Sequence, residues 1–279
     1  MYESYWGLSE SPFTNRLSPQ WYHESPVHEE ALARLFYLIE HRRGFGVISG
    51  DAGTGKSLTL RVLADQSVRS QRRVALIDLL GMDEHEMLWQ LAVELRLSPA
   101  ESDSRWKLWR RITDQLAAYE LAKQQAVFIF DHLGRADSSC FGLLERLFCA
   151  ADSGSGFATF IASMRSEELP RASQFVSELT DLRVELLPLQ VDETDEFVRD
   201  LLLQAGCDRE IFTGDAVLRL HANAHGIPRA ICRICEMALI AGMATEATAI
   251  DGTLIESVSG TLVEPQRATA AVVERHEYV

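Results

Sequence analysis

The sequence predicts an α/β fold in which a parallel sheet carries helices on both faces and a small all-helical unit follows. Three observations carry this. Short apolar runs alternate with amphipathic segments of helix length, the pattern that βαβ units require. The first of those runs ends in a glycine-rich turn that opens a helix. Beyond Pro188 the strand-like runs cease and only helical periodicity remains.

Taken in order, residues 1–24 read as an irregular, aromatic-rich arm. Ser25-Pro26 marks a helix start, because a proline at the first helical position lacks only an N–H that would be unpaired anyway. GFGVIS (44–49) is a short apolar run and the first strand, followed by a helix over about 56–69. RVALID (73–78) is the second strand. EHEMLWQLAVELRL and SRWKLWRRITDQLAAYELAKQQ repeat apolar residues at helical spacing. AVFIF (126–130) and FATFIA (157–162) are the third and fourth strands, with a helix between them around 138–150. RVELLPL (183–189) is the fifth. Residues 192–258 read as helices alone. The expected division is a nucleotide-binding core with its arm over 1–190, a helical lid over 191–258, and a loosely ordered tail over 259–279.

Composition limits the function classes. The formal net charge is −14, which argues against a domain-wide nucleic-acid surface. The five cysteines lie mostly inside apolar helical patterns, so buried free thiols in a reducing compartment are expected. Cys232-Arg-Ile-Cys235 stands without a second pair and reads as helix packing, not as a metal site. No stretch approaches the roughly 20 apolar residues of a membrane span. The opening MYESYWGLSESPF has neither the basic nor the apolar region of a secretory leader. The expected location is cytoplasmic.

The chemistry concentrates at Gly50-Asp51-Ala52-Gly53-Thr54-Gly55-Lys56-Ser57, which fits the GxxxxGK[ST] pattern. Glycines let successive backbone N–H groups face phosphates, and the helix that follows presents its N-terminus to the anion. Lys56 is expected to reach the outer phosphates of ATP and Ser57 to place its hydroxyl on Mg²⁺. Leu58, in the first turn of the same helix, completes the nucleotide-binding stretch. Asp131 ends the third strand, where ligands of open α/β sheets bind, and is the second expected magnesium group; a helix cap is the alternative. The chain thus reads as a P-loop NTPase using ATP and Mg²⁺.

Four segments extend the motif into a family resemblance. The opening MYESYWGLSESPF…YHESPVHEEALARLFYLIEHRRGFGVISGDAGTGKS, LLERLF (143–148), LLPLQVDETDEFVRDLLLQAG and GIPRAICRICEMAL (226–239) resemble the ExeA/GspA-type AAA+ ATPases of general secretion and exosortase-associated systems. Those are relatives of the TniB/TnsC transposition ATPases. The resemblance covers about residues 1–258 and implies an ASCE-type AAA+ core with a helical lid. It makes Arg229 the lid arginine that reaches the terminal phosphate, consistent with the fork an arginine offers to phosphate oxygens. It also places the arm around Tyr5–Phe13 beside the adenine, with core packing as the alternative.

Three positions depart from that family. His132 stands where its members carry the glutamate that polarises the attacking water. An imidazole can accept a single hydrogen bond there, a weaker base at best. The fourth-strand tip reads IASMRSEEL, so Ser163 is the candidate sensor, because Met164 offers no useful donor. Leu179-Thr180 aligns with the trans-acting arginine finger, with Arg171 and Arg183 as the nearest substitutes. The resemblance therefore implies a nucleotide-dependent switch with slow or absent turnover. That switch would act in a homo- or hetero-oligomer of AAA+ subunits on an unidentified, secretion-like protein partner. Secretion members often add a membrane span and a wall-binding module, so a membrane role here is expected to need a separate partner, without direct insertion. The alternatives are a non-hydrolysing ATP-binding scaffold and a DNA-associated regulator of the transposition or initiator kind. The basic clusters Arg69–Arg73 and Arg105–Arg111 would serve the latter, but read first as solvated helix faces.

Overall fold

The computed structural model describes residues 1–14, 16–151 and 156–260. Five strands form one sheet: β1 (Phe45–Gly50), β2 (Arg73–Asp78), β3 (Ala126–Asp131), β4 (Ala158–Ser163) and β5 (Leu182–Leu186), in the order β2-β3-β4-β1-β5. Every pairing is parallel. β1, β3 and β4 are buried along their whole length, as expected of strands covered on both faces. One face packs on α2 (Pro26–Glu40) and α3 (Lys56–Arg69) through Leu35, Leu38, Leu60 and Leu63. The other packs on α4 (Glu84–Glu94), α5 (Arg105–Leu121) and α6 (Ser139–Ala151) through Leu88, Ile112 and Leu144. Short α7 (Ser173–Leu179) precedes β5.

The fifth strand is shorter than its sequence pattern, which runs on to residue 189. Leu189 leaves the sheet and donates its N–H to Gly226 O at 2.9 Å. Pro188, with no N–H to give a ladder, marks the departure. From there α8 (Val191–Gln204), α9 (Gly214–Ala224), α10 (Pro228–Ala244) and α11 (Gly252–Ser259) pack around a second core of Leu201, Leu220, Ile231 and Leu239. Gly226, between α9 and α10, has φ +68°, and a β-carbon there would come within 2.2 Å of Leu189 O. The tail expected to be loose lies outside the described residues from 261 onward.

The arm is more regular than its composition suggested. It forms α1 (Tyr2–Trp6) and a single 3-10 turn at Pro19–Trp21. Trp6, Leu8 and Phe13 belong to the core of the helical unit, and Trp6 donates its indole N–H to Leu239 O at 2.9 Å, while Pro12 of the same stretch lines the cavity described below. Cys232 and Cys235 are buried in that same core, and burial pushes the Cys232 thiol up to about 12. Cys149, by contrast, is exposed, while the other four thiols are buried, in keeping with cysteines expected mostly inside apolar helical patterns. Among the described residues, no helix is long and apolar enough to cross a membrane.

The start of α2 also differs in detail. Ser25 precedes Pro26 as read, but its hydroxyl makes no backbone cap. It sits 2.7 Å from Nδ1 of His28, whose Nε2 lies 2.9 Å from Thr54 O in the glycine-rich turn. The carbonyl accepts only, so Nε2 carries the proton and Ser25 donates to Nδ1. Burial holds His28 below the usual histidine range, because a second proton would lose solvation and displace the Ser25 bond. The unfolded chain therefore takes up this proton first. Stability is full above about pH 6.5 and falls as the pH drops below it, by at most about 1.4 kcal/mol per pH unit. Thermal unfolding from pH 8 to 5 should show this slope, and His28→Gln should flatten it relative to the wild type.

Candidate functional site

The glycine-rich turn joins β1 to α3 and lines a cavity of about 290 Å³. Its floor comprises Ala52, Gly53, Gly55, Lys56, Ser57 and Leu58. The rest of the wall comes from the arm, from His28 of α2, from His132 and Arg165 at the strand tips, from Phe197 and Leu201 of α8, and from Pro228, Arg229 and Cys232 of α10. Two glycines are required by close approach. A β-carbon on Gly55 (φ +101°) would meet His28 Nε2 at 2.6 Å, and one on Gly53 would meet the Arg229 side chain at 2.9 Å. The turn is thus pressed from one side by α2 and from the other by the start of α10, whose Arg229 N–H donates to Gly53 O at 3.3 Å.

Lys56 folds back over the turn. Its ammonium donates to Gly50 O at 2.8 Å and Asp51 O at 2.6 Å. Burial lowers its pKa to about 8; the Asp131 carboxylate opposes that shift, and Arg165 adds to it. The cavity thus holds an ammonium, a guanidinium paired with Glu167 at 3.0 Å and Glu168 at 3.8 Å, and backbone donors, an arrangement in which a polyphosphate can take over those contacts.

Asp131 ends β3 and is largely buried. Its Oδ1 accepts from the Ser163 hydroxyl and from His132 N–H at 3.0 Å. Among the described residues, Oδ2 has only the His132 ring, at 3.6 Å. One oxygen is committed to fixing the carboxylate and the other keeps its lone pairs, which suits a cation or its water. Among the described residues, no group of three or more His, Cys, Asp or Glu could hold a metal alone. A divalent ion here would draw on Asp131, Ser57 and phosphate oxygens.

His132 lines the cavity in a left-handed conformation (φ 57°, ψ 33°). Its Nδ1 is 2.8 Å from Asp78 Oδ1 at the end of β2. Ser163 is buried, and its single proton goes to Asp131 while its oxygen accepts from His132 N–H at 3.0 Å. It therefore orders the strand tips and holds no spare donor. Arg165, two residues on, occupies the cavity wall instead, with its N–H bonded to Glu168 Oε2 at 2.8 Å. The sequence reading passed over Arg165 and His28; a basic residue two places past a strand tip was the available signal for the first. Arg171 and Arg183 are exposed and line no part of the cavity. The basic clusters are largely ion-paired: Arg69 with Asp65, Arg105 with Glu84, and Lys107 and Arg111 with Asp103.

Comparison with known proteins agrees with this geometry. The AAA domain family matches residues 39–172. General secretion pathway protein A of Aeromonas hydrophila is 34% identical over 253 residues, covering 88% of this chain and 45% of that protein. The chain thus spans about half the length of this relative. Among solved structures, Cdc6p from Pyrobaculum aerophilum superposes with a TM-score of 0.70 at 16% identity, covering 91% of this chain and 71% of the other. The Drosophila ORC bound to DNA gives 0.68 at 16% identity, covering 90% and 65%. The RuvB branch migration motor of Thermotoga maritima gives 0.55 at 14% identity, covering 90% and 73%. At those identities the likeness is one of fold. The sheet order, the glycine-rich turn and the identity shared with a secretion-pathway protein converge: the chain belongs to the AAA+ P-loop ATPases, of the ExeA/GspA type.

Proposed function

We propose that the protein binds Mg·ATP and works as a nucleotide-dependent switch for a secretion-like partner assembly, with hydrolysis slow or absent. The observation that carries this is the convergence of Lys56, Arg165 and Arg229 on a cavity floored by the P-loop. In this reading residues 1–190 are the core with its arm and 191–258 the lid. Gly50–Leu58 wrap the phosphates, and Lys56 exchanges its two loop carbonyls for phosphate oxygens. Ser57 and Asp131 hold the magnesium, which supplies charge neutralisation between phosphates when bound. Arg229 reports the terminal phosphate to the lid, because its own N–H is already tied to Gly53 O. Lid position is then the two-state element that nucleotide biases.

The slow-turnover reading rests on the strand tips. A carboxylate at position 132 would orient and activate water; the imidazole present is instead bonded to Asp78 through Nδ1. Ser163 keeps its proton on Asp131. The exposed Arg171 and Arg183 lie off this chain's own cavity, where they are free to act on a neighbouring subunit's site in a homo- or hetero-oligomer. The free thiols support a reducing, cytoplasmic setting. The secretion-pathway relative supports a protein partner of that kind.

In a single-turnover assay with Mg·ATP, the wild type should return nucleotide mostly intact. Lys56→Ala should weaken binding by about tenfold to a hundredfold, the worth of a charge-assisted contact. His132→Glu should raise the turnover rate by about a hundredfold or more; a fast wild type, slowed by that change, would sink the slow-switch reading. Affinity should also depend on pH. The free Lys56 ammonium loses its proton as the pH rises through about 8, and a phosphate needs it charged. Dissociation constants measured from pH 7 to 10 should therefore rise by up to about tenfold per unit above that point, and Lys56→Ala should remove the slope.

A further inference from the structure

The helical unit carries a second cavity, on another face of α8. Phe197 and Leu201 line the nucleotide cavity. Val198 and Leu202, each one residue on and so about 100° further around the helix, line a groove of about 270 Å³. Its other wall is the segment Cys207–Phe212, which leads into α9. Ile211 and Phe212 are buried there, so the floor is apolar, while Leu203 lines the groove and is 61% exposed.

The charge of this groove is the reverse of the nucleotide cavity's. Lys56, Arg165 and Arg229 wall that cavity; Asp195, Asp200, Asp208 and Glu210 wall this one, against Arg199 and Arg209. Both guanidiniums are committed. Arg199 pairs with Asp195 at 3.1 Å. Arg209 donates to Trp6 O at 3.2 Å and lies over the Trp6 ring, 5.5 Å from its centroid. Asp200 faces the His23 ring at 2.7 Å. Among the described residues, the Asp208 and Glu210 carboxylates have neither an ion pair nor a hydrogen bond. An apolar floor with unmatched carboxylates in its wall repels a phosphate and suits an apolar side chain accompanied by cations.

We propose that this groove docks a segment of a protein partner in which an apolar side chain is flanked by lysine or arginine. The apolar group enters beside Val198 and Phe212, and the cations meet Asp208 and Glu210. The proposal rests on the partner reading above for what the segment belongs to, and not on nucleotide. One buried apolar anchor within a charged surround is the way interfaces concentrate their binding energy. A second copy of this chain brings a net charge of −14, so a basic partner is the better electrostatic match. Because α8 walls both cavities, a segment docked here touches the helix that also faces the nucleotide site.

The test titrates a short fluorescein-labelled peptide of alternating lysine and leucine into the full chain. Lysine–serine and glutamate–leucine peptides of the same length are the controls. The lysine–leucine peptide should bind about tenfold or more tightly than either, since only it carries both features. Asp208→Asn with Glu210→Gln should weaken it by about fivefold to tenfold, the worth of two solvent-facing ion pairs. Leu203→Ser, at an exposed position that leaves the core intact, should weaken it by about threefold. Asp114→Asn with Glu101→Gln removes the same charge from exposed positions in and before α5, and should change the affinity by less than about twofold. An equal loss in that control, or equal binding of the lysine–serine peptide, would reduce the effect to net charge and overturn the assignment. So would an affinity untouched by the change at Asp208 and Glu210. A dimer in sedimentation that the same change dissolves would give the groove to a second copy and overturn it too. Lys56→Ala should bind the peptide as the wild type does. Absence of ATP binding therefore counts against the nucleotide reading alone, and absence of peptide binding against this one alone.

Discussion

A loop that turns its N–H groups toward an anion leaves its carbonyls facing inward, and each must find a donor there. In this protein those donors come from three helices, α2, α3 and α10. Gly50 O and Asp51 O take the Lys56 ammonium. Gly53 O takes the N–H of Arg229 from the helical unit. Thr54 O takes the imidazole of His28 from α2. Gly55 O takes the Thr59 N–H in the first turn of α3. The loop is a junction, and the sheet, α2, α3 and α10 are positioned by having to meet it.

That accounting explains the mix of residues near the loop. His28 is neutral and buried because the loop needs a donor there and burial disfavours a second proton on the ring. Lys56 itself is a cation held dry, its pKa lowered to about 8 by burial. The strand tips follow the same logic with opposite sign: Asp131 is braced by Ser163 and by the His132 backbone, so its position is set by the sheet rather than by an ion.

Much of this was legible in the sequence, because it is local. The βαβ alternation, the glycine spacing and the acid closing an apolar strand are all read within a dozen residues of one another, and the observed sheet follows them closely. What was not legible depends on distance along the chain. His28 meets Thr54 across 26 residues, His23 meets Asp200 across 177, and Trp6 meets Leu239 across 233. Nothing in the arm's composition distinguishes a tryptophan packed in a helical core from one beside a ligand. Arg165 stands two places past a strand tip whose own polar residue, Ser163, serves the Asp131 carboxylate.

The pairing of Leu189 with Gly226 has a mechanical meaning. The backbone of the segment leaving the sheet is bonded to the turn that immediately precedes α10, and only a residue without a side chain fits the gap. Arg229 lies three residues beyond that turn. Any swing of the segment that departs the sheet therefore carries the arginine with it, like a crank pinned close to its axle. The link between the sheet and Arg229 is thus one backbone bond and three residues long, short enough to be stiff.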